Sequence, residues 1–386
     1  MTKPSPSPDT VAHRSAFRRR LSLAGRATAV VIAALLIVAV VSWARAMMAP
    51  SSMPLFIRTV EWVRDNGGAG LVNFVEHAYY SAQAPETGGA PLTSLPAFGV
   101  EGSVAASGPP PVVTAFDPPL PGEGVWRPAG RMVLGGDPVL VTVFRPDAAY
   151  PRQLAYAAWI DTSRIQLELY PGRKQPPNAD PRGPMEVPVS LRPELLATFN
   201  SGYTYKDSLG GFALQGRTFM PMRAGQATVI EYTDGRVDII DWTGGPTVGP
   251  DVVLARQNLP LLVKEGRPGP DLANEAAGGF SLGNAVRVWR SALGVDAGGN
   301  LIYLAAPGQT VGSLAGAMVS AGAVRAMMLD INSQFPTFIT YGKAGALDPV
   351  MVVPNTRQSA SRYLTPDDRD FFAVYAAPKL KGPPQT

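Results

Sequence analysis

The spacing of hydrophobic positions changes several times along this 386-residue chain, and the changes divide it into segments. The first pattern is "ATAVVIAALLIVAVVSWA", residues 27–44, eighteen residues without a charge, closed by Arg45. About 20 consecutive apolar residues cross a bilayer, so this run predicts a transmembrane helix. Residues 45–83 are predicted to be membrane-proximal and to hold two short amphipathic helices. Leu55, Val60, Trp62 and Val63 lie roughly on one face, and Asn66-Gly67-Gly68 breaks the pattern. Between 84 and 124 the periodicity stops. Ala, Pro, Gly, Ser and Thr dominate there, as in "GPPPVV" and "DPPLPGEG", which predicts a semi-rigid spacer.

From 125 onward the texture is that of short strands. "RMVLG", "VLVTVFRP", "YAAWIDT" and "IQLELYPG" are separated by Gly, Pro and Asp, and "RTFMPM", "ATVIEYTDGRVDIIDW" and "NLPLLVKEG" continue the style. Asp234-Gly235 predicts a tight hairpin turn with positive φ angles. The rhythm then changes once. "NLIYLAA" (300–306) reads as a strand, Thr310 can cap a helix through "VGSLAGAMVSAGA", and "VRAMML" (324–329) reads as a second strand. Strand, helix and strand make a parallel crossover, right-handed by the general rule. The fold class expected is α+β: a mixed β-sheet domain over 125–386 with an embedded β-α-β crossover, preceded by one N-terminal transmembrane helix.

Charge and composition refine this picture. The formal charge of +4 is carried by residues 1–26, which hold six basic residues and one acid; the remainder has 28 basic and 29 acidic residues. A nucleic-acid partner is therefore not indicated. Basic residues before the apolar run predict a cytoplasmic tail (1–26) and a single-pass protein with its main domain outside the cytoplasm. A signal peptide cleaved near Ala44-Arg45-Ala46, giving a secreted protein, is the alternative, and a buried helix is a third reading. The chain has no cysteine and two histidines, His13 and His77, both outside the main domain. Thiol nucleophiles, Cys-ligated metals and a Ser-His-Asp triad are excluded there, leaving carboxylates, amides, hydroxyls, Lys and Arg.

Two polar strand exits hold such groups. "VRAMML" ends on Asp330-Ile331-Asn332-Ser333-Gln334, where ligands collect in open α/β sheets. "ELLATF" ends on Asn200-Ser201-Gly202-Tyr203, followed by Lys206, Asp207 and Gly210-Gly211. Arg290, ahead of the strand in "WRSALGVDAGGN", could grip a phosphate or carboxylate with two prongs, or serve a surface salt bridge. In the same stretch Asp296 is read as a turn residue.

The order of an Asn-x-Gly-aromatic loop, a Gly-Gly segment, "RSALGVDAGGNLIYL", a small-residue helix and "VRAMMLDINSQ" resembles the phosphodiester glycosidase family over roughly 190–345. That family includes the enzyme that uncovers mannose 6-phosphate by removing N-acetylglucosamine. Asn-Gly-Gly-Phe-Phe in the family stands as Asn200-Ser201-Gly202-Tyr203-Thr204 here, and Asp-Gly-Gly-Gly-Ser as Asp330-Ile331-Asn332-Ser333-Gln334. The resemblance implies a hydrolase acting on a sugar phosphodiester or related envelope glycan. No cofactor is expected, and no ligand spacing along the chain supports a metal. Such chemistry needs a carboxylate near the anomeric carbon, a cation for phosphate and amides for sugar hydroxyls. Asp330, Arg290, Asn200 and Asp207 are the expected catalytic set. Lys206, Gly202, Tyr203, Asn332 and Gln334 are expected to bind substrate. The alternative is a non-catalytic glycan-binding or structural domain of the cell envelope, with Tyr203 and Phe335 as ring platforms.

Overall fold

In the computed structural model the described residues are 8–82, 85–97, 104–177, 182–269, 272, 287–355 and 357–377. The first seven residues of the basic tail, and the side chains of 8–25, lie outside them. The chain divides into two compact units, Met1–Ala49 with Leu55–Gly67, and Pro50–Pro54 with Gly68–Thr386.

In the first unit one helix runs Pro8–Met48. Its Arg26–Met48 stretch is long and apolar enough to cross a membrane, with mean hydropathy 2.6 and none of its most apolar window buried. The helix Leu55–Val63 packs beside its end. The last carbonyls of a helix lack intrahelical donors. Arg58 supplies them here, donating to the carbonyls of Ala46 and Ala49. Helical geometry then fails at Asn66 and Gly67, the latter at φ 90°.

The second unit is built from three sheets. In the eight-stranded sheet the strand Val288–Val295 lies between Leu301–Gln309 and Arg325–Met328, antiparallel to both. The two outer strands are therefore parallel to each other. The helix Val311–Ser320 joins them, which makes the expected crossover. Thr310 starts that helix through a reciprocal cap: its Oγ1 accepts the Ser313 amide at 3.0 Å, and the Thr310 amide donates to Ser313 Oγ at 2.9 Å. The small residues of the helix allow close packing, and Leu314, Ala315, Ala317 and Met318 are buried in one apolar cluster with the sheet.

A five-stranded sheet follows the order Leu347–Met351, Phe338–Lys343, Leu195–Asn200, Phe371–Ala376 and Ile165–Tyr170. Its buried face meets the eight-stranded sheet in the main core, where Phe199, Tyr303, Phe338 and Phe372 pack together. The third sheet contains the Ala227–Tyr232 and Val237–Asp241 hairpin. At its turn only Gly235 has positive φ, 83°. Asp234 instead accepts the Arg236 amide through its carboxylate, so a single glycine suffices.

Two local expectations are corrected. "RMVLG" is not a strand but a turn with one bridge between Val133 and Gly136, because Leu134 and Gly135 both take positive φ. "NLPLLVKEG" pairs only at Val263–Lys264. Within the segment expected to be a semi-rigid spacer, some described residues are anchored. The Val112 amide bonds Gly124 O at 2.9 Å, and Glu123, 4% exposed, holds Arg145 through two side-chain bonds of 2.9 and 2.7 Å. Val112 and Trp126 join the apolar cluster around the crossover helix. A Pro/Gly-rich composition thus hides anchors spaced several residues apart. Likewise Ser52 Oγ donates to Asp367 at 2.8 Å and Met53 is buried, so this short piece belongs to the second unit.

Candidate active site

Strand pairing brings the two polar strand exits together. Ala292 pairs with Met328, so Ser291 lies level with the residues just past the Arg325–Met328 strand. The Ser291 amide donates to the Asp330 carbonyl at 2.8 Å, and the Asp330 amide donates to Ser291 Oγ at 3.1 Å. From the other sheet, Asn200 Nδ2 donates to the same Ser291 Oγ at 3.1 Å and to Ser201 O at 2.9 Å. Asn200 Oδ1 accepts the Tyr303 hydroxyl at 2.8 Å and the Thr337 amide at 3.1 Å. Asn200 and Asp330 are thus joined through one serine at the meeting of two sheets.

Asp330 is 3% exposed. Oδ1 accepts the Asn332 amide at 2.8 Å, and Oδ2 accepts Arg369 Nη2 at 2.9 Å. Burial pushes its pKa above the ordinary carboxylate value. Arg369, the Asn332 amide and Arg362 oppose the shift, and the Asp207 charge adds to it. The direction favours a proton on this carboxyl at higher pH than in water. Asn332 repeats the motif, its Oδ1 accepting the Gln334 amide at 3.1 Å, so successive side chains fold the loop onto itself.

Several buried polar atoms around this loop have no protein partner: Ser201 Oγ, Asn258 Oδ1, Gln334 Oε1, Gln358 Oε1, Arg369 Nε and Asp370 Oδ1. Buried polar groups are nearly always satisfied, so such a concentration marks a place built for polar company.

The expected site residues separate into groups. Asn200, Asp330, Asn332 and Gln334 lie together as described, and the Gly202 carbonyl joins them by accepting Arg369 Nη2 at 3.0 Å. Arg290 lies on the opposite face of its strand from Ser291. It is buried, its Nε donates to Gln309 O at 2.8 Å, and Nη1 meets Met328 Sδ at 3.5 Å. Tyr203 is on that side too, its hydroxyl on Met328 Sδ at 3.6 Å. Burial raises the pKa of that phenol. Lys206 and Asp207 are exposed on the one-turn helix Tyr205–Ser208, where Asp207 accepts the Thr204 hydroxyl. Tyr203 and Phe335 are 7% and 2% exposed, and Arg369 sits 4.6 Å over the Phe335 ring, so neither offers an open platform to a sugar.

Sequence reasoning missed Ser291, Arg369, Asn258 and the Arg256–Asp370 pair. Arg256 Nε donates to Asp370 at 2.7 Å and its Nη2 to the Tyr203 carbonyl at 2.6 Å. Asn258 Nδ2 donates to the carbonyls of Met328 and Leu329 at 2.6 and 2.9 Å, holding the end of the Asp330 strand. A signal existed for Ser291, since period-two alternation opposes it to Arg290. Arg369 had only "DDRD" ahead of an apolar strand. Pairing of Phe371 with Asn200 is what brings it level with Gly202.

An open cleft of about 320 Å³ touches the loop at Ser333, and Asp330 is not among its lining residues.

Residues 195–330 match the family model described as phosphodiester glycosidase, a span that begins with the Leu195–Asn200 strand and ends on Asp330. The chain is similar to the zebrafish N-acetylglucosamine-1-phosphodiester alpha-N-acetylglucosaminidase catalytic domain, auto-inhibited by pro-peptide, with 14% identity and TM-score 0.43. That likeness covers 66% of this chain and 88% of the other. It is also similar to a hypothetical protein from Synechocystis, with 13% identity and TM-score 0.35, covering 65% of this chain and 64% of that one. No curated protein matches the chain. The family resemblance is to phosphodiester glycosidase, in divergent form.

Proposed function

We propose that this chain hydrolyses a sugar phosphodiester, with Asp330 as its acid and base. The observation that carries the reading is the joining of Asn200, Ser291 and Asp330, all within the span that matches the glycosidase family, with Arg369 reaching them from beyond that span. Water adds to the anomeric carbon, the bond from that carbon to the bridging oxygen breaks, and a phosphomonoester leaves with that oxygen. A phosphate leaving group is already anionic and needs little protonation, so one well-placed carboxyl carries most of the proton traffic. Asp330 takes the proton of the attacking water, and Arg369 offsets the charge this develops. Asn200 positions Ser291 and, through it, the acid. Asp207 is the second carboxyl of the site, within electrostatic reach of Asp330. Arg290 acts from behind the sheet as a positioning residue. Lys206, Gly202, Tyr203, Asn332 and Gln334 shape the substrate pocket.

Because Asp330 is 3% exposed, turnover requires the 331–336 loop to shift and admit substrate. The same burial favours a second reading, a glycan-binding or structural domain in which the Asp330–Arg369 pair only ties the loop down. We further propose that the apolar helix anchors the chain in the membrane with the domain outside the cytoplasm and a glycan or sugar phosphate as its partner. Full-length protein in detergent, incubated with a panel of sugar-1-phosphodiesters, tests the reading. Release of free sugar and phosphomonoester is expected. Glycan binding without turnover on every member would favour the second reading.

A further inference from the structure

The cleft beside the loop is chemically distinct from the Asp330 cluster. Tyr79, Arg287, Trp289, Ser333, Asn355 and Arg357 line it. Trp289 stands on the same strand face as Ser291, two residues away, which sets their Cα atoms roughly 6–7 Å apart. The cleft therefore lies about one sugar ring along the strand from the serine that holds Asp330. Its volume, about 320 Å³, is at the small end of ligand sites.

Its polar groups are fixed in place. Arg357 Nη2 donates to the Tyr79 hydroxyl at 2.8 Å, and Nη1 reaches Ser333 Oγ at 3.5 Å. Asn355 Nδ2 spans the carbonyls of Gln334 and Pro336, both at 3.2 Å, tying this wall to the Asp330 loop. Arg287 lies 3.7 Å over the Tyr150 ring, with Nη1 on Gly308 O at 2.9 Å and Nη2 on Asp147 at 3.3 Å. A guanidinium has five N–H donors. The described contacts engage only part of each set, and the carboxylate described here, Asp147, pairs with Arg287.

Resting on the glycosidase reading above, we propose that this cleft is a subsite for a phosphate or carboxylate borne on a sugar unit beyond the scissile linkage. Trp289 supplies an apolar surface for the ring. Arg287 and Arg357 take the anion, in the two-pronged manner that suits guanidinium to both groups. The substrate class that follows is an anionic oligosaccharide and not an isolated neutral sugar phosphodiester.

Ligand-observed NMR and calorimetry on the full chain in detergent, with glucose 6-phosphate, glucuronate and glucose as probes, test this. At least one anionic sugar should bind at least ten times more tightly than glucose, and which one binds identifies the charged group. Arg357→Gln should remove that preference while the melting temperature is kept. Ser333→Asp, which sets a carboxylate against Arg357, should weaken binding by a comparable factor. Asp330→Asn should leave it unchanged, which separates this proposal from the catalytic one. Equal affinity for glucose, no binding by any probe, or an undiminished preference in both cleft variants would overturn it.

Discussion

Arg369 Nη2 lies 2.9 Å from Asp330 Oδ2, in a pair almost closed to solvent, with side-chain exposures of 13% and 5%. The same nitrogen holds the Gly202 carbonyl at 3.0 Å, so one guanidinium ties both polar strand exits together. Removing one partner of a buried pair leaves the other charged and desolvated, at about 3–5 kcal/mol. Arg369→Gln should therefore cost a few kcal/mol in denaturant unfolding. Adding Asp330→Asn should recover part of that, and the double-mutant cycle measures the coupling. Additive losses would mean that the pair does not act as a unit.

Arg369 also depends on a glycine far away in sequence. A Cβ at Gly172 would run into the Arg369 backbone, which cannot yield as a flexible side chain does. Gly172→Ala should destabilise by about 1–3 kcal/mol through overpacking. It should also lower turnover more than Gly245→Ala, where nothing lies near the added carbon and the backbone is not left-handed. Parallel unfolding and rate measurements check both.

Glu231 gives a pH dependence of unusual sign. Burial, with the nearby Glu168 charge adding to it, pushes its pKa from 4.5 up to about 8. The fold binds this proton more tightly than the unfolded chain, so its contribution to stability is full below about 4.5. It is lost as pH rises toward about 8. A tenfold difference in proton affinity between folded and unfolded chains is worth about 1.4 kcal/mol, and solvent screening reduces what is realised. Glu231→Gln should therefore stabilise by about 1–3 kcal/mol at pH 9 and be nearly neutral at pH 4. Denaturant curves at the two pH values test the difference.

The Glu123–Arg145 pair ties the end of the 84–124 segment to Arg145, just past the Val139–Phe144 strand. Both side chains are nearly closed to solvent, at 0% and 3% exposure. Burial raises the Glu123 pKa, but the Arg145 and backbone bonds bring it below the usual value. Glu123→Ala should cost about 3–5 kcal/mol. A loss below about 0.5 kcal/mol on denaturation would restore the view of a loose spacer.

What could be read from the sequence was local. The crossover helix, its Thr310 cap and the polar exits at Asn200 and Asp330 each announce themselves by an apolar run ending on particular side chains. Pairing across the sheets was not legible. Ser291 and Arg369 reach the site because Ala292 pairs with Met328 and Phe371 with Asn200, relations between residues 36 and 171 positions apart. Arg290 lies on the face of its strand opposite Ser291, a relation that the sequence pattern also carries. Composition alone did not reveal that Val112 and Glu123, within the spacer segment, are anchored by packing and by an ion pair. Ile331 is buried in the cluster around the crossover helix, a packing role that a polar loop does not advertise.

The account rests on Asp330 as the reacting carboxyl, and a single comparison tests it. Full-length protein and its Asp330→Asn variant are given the same sugar-1-phosphodiester panel, and release of phosphomonoester is followed by phosphorus NMR. The account predicts turnover of at least one substrate by the parent chain and a loss of about 100-fold or more in the variant, the scale of general acid-base catalysis. Equal rates in the two proteins, or no release by the parent chain from any substrate, would contradict it.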